Sequence, residues 1–548
     1  MSSSGEKVRT KKTESEKRKI ENRNFRPILR YGLGKKLFFI FHFSFFIFHF
    51  SFSERYQISD VTYTLEKTRE QDLRRVVPIN TDKIFESKED LDSYLADLQQ
   101  RLMNTRAFDT VEIETSDDTD ENEITQISLH ISAQDTKSLL ILPYPKYDSN
   151  SGLIFKIKLK DVNFLGTMNT LNFGVFAGLK EDIETGDQNL TFGAEFDYRY
   201  PFQAGPFICS WNNSFEFEYT RGLDVLEFWT GTGFTFELPF SRVSFVLDIS
   251  EQANQDLEYD EYGDTQYFTS GVMLSVPVKL IDIENWGYVL WTPFIDGKIS
   301  YDKDGISAQN DDLASPVISA GQSLSTARIN WHGNFRSGVS AKLGHSVGYD
   351  FMQDEIEPRV YGELQLFKAF AYAGINSRFT AFLTKSNRGE VGELIRGVLD
   401  EQLYLNSTHK SLKTPSALVL NLDLPIHLVT TDWNLWLDTL FGEDSWFSRT
   451  FSWTGKFNFE MQASPFVDIA LTKNEITGRL FSPKDGWYTG GLEILVFPER
   501  WKGIVMRASV GLDLGRALIA KKAPEKIDLS WREHVKKYEI YAGIGLHY

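Results

Sequence analysis

The chain has 548 residues, a net charge of −17, 41% hydrophobic and 14% aromatic residues, and one cysteine. The acidic balance argues against nucleic-acid binding, Cys209 has no partner for an intramolecular disulfide and argues against a Cys-based zinc site, and the length leaves room for two domains. A helical membrane protein would repeat apolar runs of about 18 or more residues; only residues 37–52 come near that.

Residues 1–54 read as a targeting segment with an extended basic N-terminus. Lys11, Lys12, Lys17, Arg18 and Lys19 precede a run of Phe, Leu and Ile interrupted by His42 and His49. A basic flank before a short apolar run is the pattern of a secretory signal. A single anchor helix is the other reading, and the run is short for it.

Residues 55–136 predict a small α+β domain. Residues 56–63 alternate as a strand, and a helical segment follows near 67–76. Ser87-Lys-Glu-Asp90 has the form of a capping box. Behind it Leu91, Tyr94, Leu95, Leu98 and Leu102 fall on one helical face. Residues 108–113 and 124–131 alternate again, and the acidic turn 116–123 joins them as a hairpin. The order is β-α-α-β-β.

Residues 137–548 predict an all-β transmembrane barrel of antiparallel strands, because many aromatic, alternating, glycine-punctuated segments each have about the length a tilted strand needs to cross a bilayer. The first, 139–147, carries Pro143 and Pro145. Proline has no N–H to give to a ladder, so this strand pairs poorly on one side, as a seam, a plain edge or a linker would. Residues 152–159 alternate strictly, residues 161–166 make a turn, and further segments follow to residue 383. The strand count lies between 16 and 18; residues 305–350 combine a long loop with one or two strands that are hard to separate. Residues 385–414 exceed an ordinary hairpin connection, which favours a functional loop, and they hold Arg396. After a strand at 417–426, Trp433, Trp436, Leu437, Leu440 and Phe441 recur at helical spacing between Asp432 and Gly442. They read either as a short amphipathic helix in a membrane interface or as a continuation of aromatic strands. Residues 457–471 form the strand bearing Asp468, and 487–497, 505–514 and 538–548 finish the barrel. In the last, Tyr538, Ile540, Ala542, Ile544, Leu546 and Tyr548 share one face, suited to lipid.

Several of these motifs carry a family resemblance. Ile395-Arg396-Gly397 resembles the Val-Arg-Gly-aromatic loop tip of the outer-membrane protein insertase superfamily, with Val398 where that family has an aromatic. Phe466 and Asp468 resemble its Phe/Trp-x-Asp-x-Gly strand, with Ala470 in place of the glycine. Residues 161–166 resemble its turn after the second strand, and Tyr541, Gly543, Leu546 and Tyr548 its C-terminal β-signal. The α+β segment resembles a POTRA domain. The superfamily includes the BamA, TamA and two-partner-secretion barrels. The resemblance implies 16 strands in a bacterial outer membrane and a POTRA-like domain in the periplasm. It further implies a lateral seam at the Pro143 and Pro145 strand, and an Arg396–Asp468 pair that holds the loop in the lumen and braces the wall opposite the gate. The implied function is insertion or export of client outer-membrane proteins without ATP or cofactor. The implied partners are unfolded clients, periplasmic chaperones, accessory lipoproteins and outer-membrane lipids. A dedicated secretion transporter, or a passive pore or surface antigen of the same architecture, is the alternative.

No enzymatic constellation competes with this reading. Gly344-His-Ser-Val-Gly348 matches a nucleophile-elbow pattern, but it lies inside an alternating segment with no helix pattern after it. The acidic stretch 258–264 does not follow the calcium-loop order. No catalytic, metal or cofactor residue is assigned.

Overall fold

The structure is a computed structural model that describes residues 55–118, 124–148, 152–181, 188–221, 226–255, 266–283, 286–302, 316–385, 389–391, 394–397, 413–474, 477–532 and 537–548. The targeting segment, residues 119–123 of the acidic turn, the acidic stretch 258–264 and Val398 lie outside the described residues, while residues 116–118 of that turn belong to the strand before it.

The small domain contains β1 (Arg55–Leu65), α1 (Glu70–Val76), β2 (Ile84–Phe85), α2 (Lys88–Asn104), β3 (Phe108–Asp118) and β4 (Ile124–Asp135). Its sheet runs β2-β1-β4-β3. The chain returns through α2, so β1 and β4 lie parallel while β3 and β4 form an antiparallel hairpin. Ser87 caps α2 by accepting the Asp90 N–H at 3.2 Å, which satisfies one of the open donors of the first turn. The apolar face of α2 buries Leu91, Leu98 and Leu102 against Ile58, Phe108, Ile127, Leu129 and Ile131 of the sheet.

The rest of the described chain closes into a barrel. Its ring contains twenty strand segments. Gln266–Ser275 and Val278–Ile283 both pair with Gly287–Tyr301. Ser416–Asp423 and Ile426–Thr430 both pair with Phe459–Thr472. Each couple is one strand interrupted at a proline, Pro277 or Pro425, where a ladder donor is missing. Among the described residues the barrel therefore has eighteen strands, two more than the resemblance implies and the upper end of the residue count. Residues 305–350 hide the difference. Val317–His332 and Phe335–Asp350 are two long strands joined at Gly333, which takes φ +61.

Alternation sorts the barrel faces. In Gly152–Asp161, Phe155 and Ile157 point outward and are exposed, while Lys156 is buried on the lumen side and pairs with Glu195. This is the expected division of a membrane barrel, apolar toward lipid and polar inside. Among the described residues no helix is long and apolar enough to cross a membrane.

The small domain packs against one end of the barrel. Asn104 bridges Asn330 and the Trp331 N–H, each at 2.9 Å. Arg106, at φ 55, lies 4.3 Å above the Trp331 ring and donates to Asn334 at 2.9 Å. Burial lowers the Arg106 pKa to about 10, which leaves it charged at neutral pH. The turn after the second barrel strand receives the other side of the domain. Asn163 donates to Thr68 at 2.7 Å, and Arg69 N–H donates to the Gly166 carbonyl at 2.9 Å. Gly166 takes φ +74, and a Cβ there would lie 2.2 Å from the Lys67 carbonyl oxygen. The turn is thus shaped by the domain that sits on it.

Candidate functional site: the lumen loop and the barrel seam

The described tip of the long loop, residues 394–397, lies on the inner wall of the barrel. Arg396 is 4% exposed and Asp468 is fully buried. The guanidinium grips Asp468 in a bidentate pair, Nε to Oδ2 at 3.0 Å and Nη2 to Oδ1 at 2.8 Å, and the Arg396 backbone N–H donates to Oδ2 at 2.8 Å. Such a fork fixes position as well as charge. The ring of Phe466 lies 3.8 Å below the guanidinium carbon. Residues 466 and 468 face the same side because strand side chains alternate.

The remaining motif residues complete the seat. Ile395 packs with Val391, Ala417, Val419, Ala470 and Trp487, so the alanine that departs from the family glycine is part of this apolar floor. Gly397 adopts φ +84, and a Cβ on it would meet the Leu512 backbone at 2.9 Å. A Cβ on Gly511 would meet the Gly397 Cα at 2.4 Å. The tip and the wall therefore touch backbone to backbone.

Sequence reasoning missed four partners of this tip. Asp423 lies 2.7 Å from Arg396 Nη2, and Glu493 lies 3.7 Å from Nη1. Asn421 donates to the Leu394 carbonyl at 2.7 Å, and Glu539 accepts the Gly397 N–H. Their signal was available: in 417–423 alternation puts Asn421 and Asp423 on the lumen face. The expected bracing of the wall opposite the gate is corrected by these contacts. Glu539 belongs to the last strand, Tyr538–Ile544, so the tip lies against the wall that leads up to the seam.

That seam is the weak point of the ring. Among the described residues the last strand shares two residue pairs with the first, Tyr541 with Asp148 and Ala542 with Tyr147. It keeps seven with its other neighbour, and the first strand keeps ten with the second. Hydrogen bonds at the start of the first strand fix which way its residues point. The Ser138 carbonyl accepts from Val162, on the second-strand side. The Leu139 carbonyl accepts from Trp501 Nε1 at 2.8 Å, on the seam side. Pro143 and Pro145 have the parity of Leu139, so both missing N–H groups fall on the seam edge.

The C-terminal residues add to the opening. The last strand ends at Ile544, and Gly545 turns the chain at φ +112 with its N–H on the Val505 carbonyl at 2.8 Å. Leu546 then packs against Leu495, Phe497 and Val505. Arg336 donates to the Tyr548 carbonyl at 2.7 Å, and Arg378 lies 5.0 Å over the Tyr548 ring. Leu546 and Tyr548 thus leave the lipid face expected for them and enter the lumen, while Tyr541 and Gly543 stay in the strand. The reason is local: the loop carrying Trp501 reaches the first strand directly, and a left-handed glycine directs the tail inward.

Ser346 and His345 are neighbours on the strand Phe335–Asp350 and point to opposite faces. His345 contacts Gln322 at 2.9 Å.

At the far end, Arg479 clasps two loops. It donates to Asp485 Oδ2 at 2.8 Å and to Asp528 Oδ2 at 2.6 Å, and the Asp528 N–H donates to the Lys484 carbonyl at 2.8 Å. Hydrogen bonds from Ser530 and Arg479 hold the Asp528 carboxyl down to about 2, against an ordinary 3.8. A depressed carboxyl stabilises the fold above its unfolded pKa and loses that contribution as pH falls through the folded one. Protection of the Asp528 amide against hydrogen exchange, corrected for intrinsic rate, is therefore expected to hold down to about pH 4 and to fall towards about pH 2. Asp528→Asn should be poorly protected throughout.

Residues 56–133 match the POTRA family model, described as a surface antigen variable number repeat. These residues are a POTRA domain. No curated protein matches the chain. Among solved structures the chain is similar to CdiB from Acinetobacter baumannii, at 10% identity over 90% of this chain and 74% of that one, with a TM-score of 0.44. It is also similar to BamA from Haemophilus ducreyi lacking POTRA domains 1–3, at 12% identity over 89% and 84%, TM-score 0.34. CdiB from Escherichia coli follows at 8% identity over 90% and 91%, TM-score 0.36. A POTRA domain leading directly into a closed barrel, with an Arg–Asp pair holding a loop tip inside, supports assignment to the outer-membrane insertase and translocase superfamily.

Proposed function

We propose that the chain assembles or exports client outer-membrane proteins through the seam between Leu139–Asp148 and Tyr538–Ile544. The observation that carries this reading is an edge that lacks two donors, beside a closure of two residue pairs among the described residues. A client strand would add to that edge by main-chain hydrogen bonds, and β3, the outer strand of the POTRA sheet, offers an earlier edge of the same kind. Strand exchange of this sort needs no ATP, cofactor or covalent step, and no residue is given a catalytic role. The setting is the bacterial outer membrane with the POTRA domain in the periplasm. Unfolded clients are the substrates, and periplasmic chaperones and accessory lipoproteins the assisting partners. A passive pore has less in its favour, since the Arg396 tip and Tyr548 occupy the lumen.

Depletion of the protein in its own cell tests this, with outer-membrane barrels quantified in the membrane fraction. A general fall, with unfolded clients held in the periplasm, is the insertase result. A fall in a single exported protein makes it a dedicated transporter. Unchanged levels of every barrel and every exported protein overturn the proposal.

A further inference from the structure

Between the strand segments Ile426–Thr430 and Phe459–Thr472 the chain leaves the barrel over residues 431–458 at the POTRA end. It forms α3 (Trp433–Phe441), α4 (Trp446–Phe451) and a 3-10 turn (Ser452–Phe457). The helical alternative at Trp433 is therefore the one adopted. Asp432 caps α3 by accepting the Leu435 N–H at 3.1 Å, Gly442 turns the chain at φ +88, and Ser445 caps α4 by accepting the Ser448 N–H at 3.0 Å. Phe441 stacks on Phe447 at 5.0 Å, and Trp433 Nε1 donates to the Phe457 carbonyl at 3.2 Å. The three pieces form one paddle.

Parity shows which side of the barrel the paddle occupies. In Phe459–Thr472 the even residues Gln462, Phe466 and Asp468 face the lumen, and Val467 faces out. Phe459 has outward parity, and Trp433 packs on it at 6.3 Å. The paddle thus hangs from the lipid-facing side, continuous with the exposed Leu422 and Leu428 of the strand that leads into it. Its most exposed apolar side chains are Leu440 at 74% and Trp446 at 67%. The charged pair Arg449–Asp444 is exposed too, Asp444 almost completely.

We propose that the paddle docks into the phospholipid leaflet on the POTRA side, seated at headgroup depth with Leu440, Phe441 and Trp446 in the acyl region. The continuity with the barrel's lipid face argues for lipid over a protein partner. Helices satisfy their own backbone and can lie in an interface, and tryptophan favours that depth. Asp432, Asp438, Glu443 and Asp444 outnumber Arg449 and Lys456 in this stretch, so burial of apolar area, and not attraction to anionic headgroups, is the driving force. The paddle also reaches the seam: Phe457 stacks on Trp501 at 6.4 Å, and Trp501 holds the Leu139 carbonyl.

The test uses the full chain with Cys209→Ser, reconstituted in phosphatidylcholine bilayers with or without brominated acyl chains. A fluorophore is placed at one cysteine at a time: Leu440→Cys in the paddle, Asp444→Cys as the water-facing reference, and Val467→Cys on the barrel's lipid face as proof of correct insertion. Bromolipid is expected to quench the label at 440 severalfold more than at 444, approaching 467. Quenching at 467 with a label at 440 open to aqueous iodide overturns the proposal. So does a label at 440 shielded from both quenchers, which would mean that protein covers the paddle. These outcomes do not depend on whether clients are assembled.

Discussion

Arg396→Ala is expected to free the loop tip from the wall and to impair client assembly. The substitution removes one cation from among three carboxylates, Asp468, Asp423 and Glu493, all nearly excluded from solvent. Breaking a buried pair by deleting one partner costs about 3–5 kcal/mol, because the other charge stays buried without compensation. The folded barrel should therefore unfold at lower denaturant, and the temperature at which it loses its compact gel mobility should fall. Arg396→Lys should rescue little, since an ammonium cannot reproduce the fork that binds both Asp468 oxygens. Adding Asp468→Asn to Arg396→Ala should recover part of the stability by removing one uncompensated charge. Wild-type stability and wild-type client assembly together in Arg396→Ala would remove the bracing role.

Covalent closure of the seam is expected to abolish client assembly while leaving the barrel folded. Asp148 and Tyr541 are direct cross-strand partners, at a separation a disulfide can span. Asp148→Cys with Tyr541→Cys, in the Cys209→Ser background, should cross-link on oxidation. The oxidised protein should lose most of its activity and regain it with reductant. A control pair across Met506 and Ile544, partners in the last hairpin, should cross-link without that loss. Full activity in the oxidised seam variant would mean that clients pass elsewhere.

Much of this architecture was legible because a membrane barrel writes its fold as alternation, and alternation survives without relatives to align. The lumen pair was legible for a different reason: an Arg-Gly in an overlong loop and an Asp on a strand face are each ordinary, and their order along the chain made them worth joining. What stayed hidden has physical causes. Val317–His332 is rich in Ser, Ala and Gly, so its outward residues carry little hydrophobic contrast and the strand merged with the loop before it. The inward tail depends on the conformation of Gly545 and on a neighbouring loop, neither of which leaves a periodic trace. Asp423 and Glu493 sit on strands whose lumen faces are polar anyway, and only three-dimensional closure brings them to Arg396.

The two prolines also bear on how long a guest strand would stay. In hydrocarbon an unpaired backbone group has no water to turn to, so a bare edge draws in any strand that can cover it. That pull is indifferent to side chains and would on its own hold whatever it captured. Pro143 and Pro145 remove two of the bonds such a guest could make, and they do so side by side in the middle of the first strand. On the proposed function, a guest would be drawn in by the bare edge yet never fully zipped to it. An edge that attracts strongly and grips incompletely is suited to turnover: what enters can also leave.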